Sequence, residues 1–302
     1  HPQHRRQRQM CIRDRGKRIV PLGDGLWDLF ADGPRFGGAT ANFACHASLM
    51  GGEVFMVSGV GKDERGEAAL KIFRSKGVEI DLIQTLSSYP TGIVTVELDE
   101  SGIPHFTIGE DSAWDHWEWN SNIEKKVRSA DAVYFGTLGQ RGKSPREGIR
   151  KALEIAKHTD ILRVLDINLR PPFYDDALIR ESISRCTVLK LSEEEFEPIC
   201  RACNLDSSED AEKTLAMLRI QYELDVVVMT LGAEGAVLLT EAEVVRQSGI
   251  PSRVVDTVGA GDSFTASLTI GLLQDRKDLG TILLNACKVA SEACSHPGAV
   301  PE

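Results

Sequence analysis

Residues 131–170, DAVYFGTLGQRGKSPREGIRKALEIAKHTDILRVLDINLR, hold two short apolar runs with a long amphipathic segment between them. DAVYFGTLG and ILRVLDINL read as buried strands bounded by glycine and polar residues. In the segment between, Ile149, Ala152, Leu153 and Ala156 share one face at helical spacing. Ser144, Pro145 and Glu147 predict where that helix starts: a capping hydroxyl, a proline suited to the first turn, and an acid completing a capping box. A strand, a one-faced helix and a second strand form a crossover unit, and its two strands run parallel because the helix makes the return.

The same alternation extends in both directions. EVFMVSGVG at 53–61, CTVLKL at 186–191 and LDVVVMTLG at 224–232 are further apolar runs separated by amphipathic stretches. The expected fold is therefore α/β, with a mainly parallel sheet covered by helices. Residues 91–108, TGIVTVELDESGIPHFTI, interrupt the pattern: two short strands meet at an Asp/Glu/Ser/Gly turn with no helix between them. That is the signature of a small β lid inserted in the α/β body.

A chain of 302 residues that is 42% hydrophobic can bury a large core. Its formal charge is −10, and the basic residues Arg5, Arg6, Arg8, Arg13, Arg15, Lys17 and Arg18 crowd the start, so the remainder is more acidic still. An acidic body argues against nucleic acid or an anionic membrane as the main partner. No apolar stretch is long enough for a membrane span and no signal-peptide core follows the basic leader, so a soluble, cytoplasmic protein is expected. Residues 1–16 lack periodicity and are read as a non-native or disordered leader. Seven scattered cysteines suit reduced thiols, and Cys200 and Cys203 read as helix neighbours, not a metal or redox pair.

Several motifs fail on spacing. GTLGQRGKS resembles a phosphate loop but carries Thr137 where the pattern requires glycine. No G-x-G-x-x-G follows a strand, and H-E-x-x-H and G-x-S-x-G are absent. DSAWDHWEWN at 111–120 offers indoles for a sugar or His116 for a metal, but packing beside the lid explains it more simply.

VVDTVGAGDSFTAS at 254–267 admits two readings. Gly259 and Gly261 flank Ala260, so backbone N–H groups can gather at the start of a helix as an anion cradle, with Asp262 placed to accept a proton. Equally, it can be a glycine-rich turn before a helix whose dipole Asp262 merely complements.

DTVGAGDSF closely resembles the carboxy-terminal signature of the ribokinase-like (PfkB) carbohydrate kinases, and GGATANFACHASLMGGEVFMVSGVGKDERG resembles their amino-terminal signature. LDINLRPP, KLSEEE, TLGAEGA and HPGAVPE follow in family order, so the resemblance covers residues 18–302. WDLFADGPRFGGATAN and EDSAWDH are most similar to bacterial fructokinases. The resemblance implies a ribokinase-like three-layer α/β/α domain over 17–302, with its lid near 91–108. It further implies an ATP- and Mg2+-dependent phosphotransferase acting on a hydroxymethyl group of a ketohexose, fructose first. Sister activities on 2-keto-3-deoxygluconate, ribose or a nucleoside share the signatures, as would a non-catalytic sensor on the same fold.

Roles follow by position. Asp262 matches the catalytic base, and Gly259, Ala260 and Gly261 the anion hole. Asp28, Gly37, Gly38, Asn42 and Arg170 match the sugar side. Lys190, Thr230, Gly232, Gly235 and Asn285 match the nucleotide side. Glu195 matches a residue that orders water on magnesium, with Ser192 in place of the usual Asn; the two also read as a capping box. Asp256 matches an acid at a monovalent-cation (K+) site of some members. Three departures stand out: Thr40 where proline is usual, Asp24 where fructokinases often have Glu, and Pro21 inside the expected first strand, where its missing N–H predicts an irregular strand. The exposed edges of the lid suit a homodimer.

Overall fold

The computed structural model describes residues 16–98, 104–208, 210–276 and 278–300. The expected leader lies outside the described residues except for Gly16, as does the turn at 99–103. The first half of the chain runs β1 (Arg18–Leu22), β2 (Leu26–Phe30), β3 (Gly33–Gly37), α1 (Ala39–Leu49), β4 (Glu53–Val54), β5 (Ser58–Gly61), α2 (Glu64–Ser75), β6 (Ile83–Leu86), β7 (Gly92–Leu98), β8 (Pro104–Ile108), α3 (Ser121–Arg128) and β9 (Ala132–Phe135). Next come α4 (Lys143–Lys157), β10 (Leu162–Asp166), α5 (Asp176–Arg185), β11 (Val188–Ser192), α6 (Glu193–Cys203) and α7 (Ala211–Gln221). The chain then forms β12 (Val226–Thr230), β13 (Gly235–Leu239), β14 (Val244–Ser248), α8 (Ala260–Gln274) and α9 (Leu279–Ala293).

The main sheet has the order β14-β13-β12-β11-β10-β9-β1-β4 and is parallel from β12 to β4, while β13 and β14 pair antiparallel. Strand alternation sends side chains to opposite faces. Val20, Val133, Leu165 and Leu189 face Ile149, Leu153, Ile179, Ile199 and Leu215 of α4 to α7. Ile19, Tyr134, Val164 and Val188 face Phe43, Phe264, Leu268 and Leu283 of α1, α8 and α9. Helices on both faces give the three layers that the β9–α4–β10 unit predicts. Among the described residues no helix is long and apolar enough to cross a membrane.

Pro21 sits in a regular β1, contrary to the expected irregularity. Its carbonyl accepts from Val57 N at 2.9 Å on the β4 side, so its nitrogen faces that side too. Phe55 N bonding Ile19 O and Gly23 N bonding Val57 O flank the missing donor, so the strand forgoes a single bond and keeps its course.

The start of α4 also differs from the sequence reading. Gly142 is its N-cap without a side-chain cap, and Ser144 lies inside the helix donating to Trp117 O at 3.0 Å. The indoles of Trp114 and Trp117 are fully buried, His116 bonds Asp111, and Asp115 is bonded by Arg141, so that stretch packs the body beneath the lid. Cys200 and Cys203 are free, buried neighbours on α6.

The lid is larger than the expected hairpin. β7 and β8 pair antiparallel, but β2 and β3 join them in one sheet, β3-β2-β7-β8. Asp63, the N-cap of α2, anchors it: its carboxylate accepts from Gly66 N, Thr91 N and Thr91 Oγ1 just before β7 begins.

Candidate active site

Side chains from the C-terminal ends of the parallel strands, the N-termini of α1 and α8 and the lid strand β2 come together here, at the end of the sheet where open α/β folds bind ligands. At its centre is the first turn of α8. Gly259 is the N-cap, with φ 81° and ψ −5°, a left-handed conformation that glycine adopts without strain. Ala260 N reaches Thr257 O only at 3.3 Å, and the N–H groups of Gly261 and Asp262 have no acceptor among the described residues. Those unspent donors and the helix dipole give the turn the chemistry to hold an anion.

Asp262 projects from that turn and accepts from Asn42 Nδ2 of α1 at 2.8 Å. Its pKa is raised to about 7, chiefly by desolvation and then by the charge of Asp166; the Asn42 bond and Lys190 partly offset this, while Asp24 adds to it. A carboxylate at about 7 is poised to take a proton near neutral pH.

Lys190, in the middle of β11, is buried and donates to Asp166 Oδ1 at 3.1 Å, while Thr265 Oγ1 of α8 donates to Asp166 Oδ2 at 2.8 Å. Its ammonium would stand 3.1 Å from a Cβ placed on Gly261, so it lies against the cradle. Burial opposes the charge on Lys190, but Asp166, Glu195 and Asp262 outweigh it and hold the pKa above its ordinary value.

Asp28 lies on β2, its Oδ2 packed so close to Gly37 that a Cβ there would stand 2.5 Å away. Desolvation, with Asp24 and Asp256, raises the pKa of Asp28 to about 6 against the pull of Arg170 and Arg35. Arg170 is exposed, its Nη1 donating to Leu169 O at 3.1 Å. Asn42 is buried and its Oδ1 has no hydrogen-bond partner among the described residues.

The carboxylate of Glu195 accepts from Leu169 N at 2.7 Å and Ser192 N at 2.8 Å, so it caps α6 and pins the loop that carries Arg170. Thr230 pairs with Ser192 across the β11–β12 register, and Gly232 and Gly235 form the following turn. Asp256 accepts from Val258 N and Gly298 N, both at 3.0 Å, with Arg35 Nη1 at 3.6 Å.

The family model described as pfkB family carbohydrate kinase matches residues 33–302. This chain belongs to that family. It is 26% identical to a fructokinase of Escherichia coli, over 94% of this chain and 95% of that one. A sugar kinase of Pyrococcus horikoshii in complex with ATP superposes with a TM-score of 0.79 at 26% identity, covering 93% of each chain. The fructokinase of Xylella fastidiosa with bound ATP gives a TM-score of 0.83 at 21% identity, covering 95% of this chain and 96% of that one, a likeness of fold. The chain is therefore a carbohydrate kinase, a phosphotransferase that binds ATP and a sugar.

In this carbohydrate kinase the fold brings together Asp28, Gly37, Gly38, Asn42, Lys190 and Gly259 to Asp262. Asn285 is exposed on α9 and enters none of the hydrogen bonds or ion pairs that join this cluster. Sequence reasoning passed over Asp166 and Thr265, which hold Lys190, and the placement of Asp24. An acid closing a buried strand, as Asp166 closes ILRVLD, was the available signal.

Proposed function

We infer that this kinase transfers the γ-phosphoryl group of ATP to a hydroxymethyl group of a ketohexose, with fructose the first candidate. The observation that carries the reading is Asp262, raised to about 7 and hydrogen-bonded to Asn42, beside two unspent backbone N–H groups and the Lys190 ammonium. Asp28 and Asn42 hold neighbouring sugar hydroxyls through defined acceptor and donor directions. As the sugar oxygen forms its bond to the γ-phosphorus, its proton passes to Asp262; the bond to the β–γ bridging oxygen breaks, and ADP leaves with that electron pair. The N–H groups of the Gly259–Asp262 turn, those of Gly261 and Asp262 foremost, and the Lys190 ammonium stabilise the charge that builds on the phosphoryl oxygens. Closure of the lid over the sugar excludes water, the competing acceptor.

A magnesium ion bound with ATP would supply charge neutralisation at the phosphates. Glu195 fits a water-mediated role, since each of its oxygens spends one acceptor site on a backbone N–H and keeps another. A potassium ion at Asp256 would share that carboxylate with Arg35. Lys190, Thr230, Gly232, Gly235 and Asn285 are assigned to the nucleotide and Arg170 to the sugar and phosphates. A cytoplasmic homodimer joined through the lid completes the proposal; exposed Phe106 on β8 suits such a contact.

An ADP-release assay over fructose, ribose, 2-keto-3-deoxygluconate and adenosine, followed by the regiochemistry of the product, tests the reading. Fructose giving the highest kcat/KM supports it. Preference for another acceptor reassigns the substrate, and ligand binding without ADP release in every case overturns catalysis in favour of a sensor.

A further inference from the structure

Asp24 and Thr40 depart separately from the family's sequence pattern, yet they form one contact. Thr40 Oγ1 donates to Asp24 Oδ1 at 2.8 Å, and both residues are buried. The main-chain oxygen of Asp24 accepts from Ala41 N at 3.1 Å. Its remaining oxygen, Oδ2, has no partner among the described residues and lies against Gly38, where a Cβ would approach to 2.9 Å. Two oxygens of Asp24 thus bond the first turn of α1, at Thr40 and Ala41, and the third lies against Gly38. Asn42, which bonds Asp262, is the next residue on that turn. Gly38, the N-cap, has no side-chain cap of its own, so Asp24 anchors the turn from outside the helix. A proline at 40 would have no hydroxyl to donate, which makes the two departures complementary.

The charged groups that act on Asp262 are Asp166 of β10, Lys190 of β11 and Asp24 beyond β1, with the uncharged amide of Asn42. Asp24 acts on Asp28 as well. We propose that Asp24, clasped by Thr40, is a positioning residue of the phosphoryl transfer: it fixes the first turn of α1 so that Asn42 meets Asp262, and supplies part of the field in which that carboxylate takes its proton. The proposal rests on the assignment of Asp262 as the base in the reading above.

Asp24→Asn keeps an oxygen for Thr40 and removes the charge, so the acid limb of the kcat–pH profile moves down by roughly half a pH unit. Thr40→Val keeps the shape and removes the hydroxyl; kcat falls roughly tenfold, and Thr40→Ser restores it. When Asp24→Ala, which does remove the contact, is combined with Thr40→Val, the double variant loses less than the product of the single losses, because each substitution deletes the same bond. Carbon-13 NMR titration of the Asp262 carboxyl in the wild type and Asp24→Asn reads the same electrostatic shift without turnover. A downward shift there supports the proposal even if no sugar in the panel is phosphorylated, the outcome that would instead sink the kinase reading. Folded variants in which titration and acid limb both stay in place, or in which Asp24→Ala and Thr40→Val combine independently, overturn it.

Discussion

Asn42 on α1 donates through Nδ2 to Asp262 Oδ2 on α8 at 2.8 Å, joining residues 220 positions apart. The bond ties the first turn of α1 to the first turn of α8, so the two halves of the chain meet at Asp262. It also occupies one carboxylate oxygen and leaves Oδ1 to take a proton.

Asp262→Asn retains the bond to Asn42 through its amide oxygen but cannot accept a proton. Turnover should fall by about 10²- to 10⁴-fold while sugar affinity changes little. Stability should move the other way. An acid whose folded pKa, about 7, lies above its unfolded value of roughly 4 holds its proton more tightly when folded. Wild-type stability therefore declines as pH rises between those values, and the full penalty remains above 7. The variant should match the wild type near pH 4 and exceed it by about 1–4 kcal/mol at pH 8 in urea unfolding. Unchanged turnover would remove Asp262 from the chemistry.

The wild-type profile of kcat/KM should lose activity below pH 7 as Asp262 gains its proton, about tenfold per pH unit. Below about pH 6 the slope should steepen, because Asp28 then protonates and ceases to be a double acceptor for sugar hydroxyls. Asp28→Asn should abolish the second bend and leave the first. A single bend common to both proteins would mean that the two carboxylates do not titrate independently in the cycle.

The layers were legible because strand and helix periodicities differ: Val164 and Leu165 alternate faces, whereas Ile149, Leu153 and Ala156 share one. The cradle was legible as two glycines before an acid, but spacing alone did not separate it from an ordinary capped helix; the unspent N–H groups of Gly261 and Asp262 are a property of coordinates. Ser144 was misread because the capping preference of a hydroxyl competes with a tertiary acceptor, Trp117 O, that sequence does not reveal. β2 and β3 escaped the lid for a related reason. Sheet membership is a long-range pairing, and the parallel β2–β7 contact joins segments more than sixty residues apart. Asp166 and Thr265 looked functional only once three segments had brought them together with Lys190.

Lys190→Met should be costly even without ATP. It leaves Asp166 buried with Thr265 as its remaining side-chain donor, a loss of about 3–5 kcal/mol for breaking one side of a buried pair. Adding Asp166→Asn should recover most of that stability, since no uncompensated charge then remains. The double variant should still show a raised KM for ATP and a lowered kcat, because the cradle has lost its ammonium. Wild-type kinetics in a well-folded double variant would assign Lys190 to structure alone.

Gly259→Ala tests the cradle without touching a charged group. At φ 81° an alanine is strained, and its Cβ would stand 2.7 Å from the side chain and 2.8 Å from the backbone of Ala299. The turn can relieve this only by rotating its N–H groups or displacing residues 298–300, which Asp256 holds through Gly298 N and His46 through Ala299 O. The strain should cost about 1–3 kcal/mol of stability. The kinetic loss should exceed what that destabilisation explains: kcat should fall by about 10²-fold or more, as for removal of an oxyanion-hole donor, while KM for the sugar stays near its wild-type value because Asp28 and Asn42 are untouched. An equal rise in KM with kcat preserved would place the glycine turn in ground-state binding and deny it a part in the transition state.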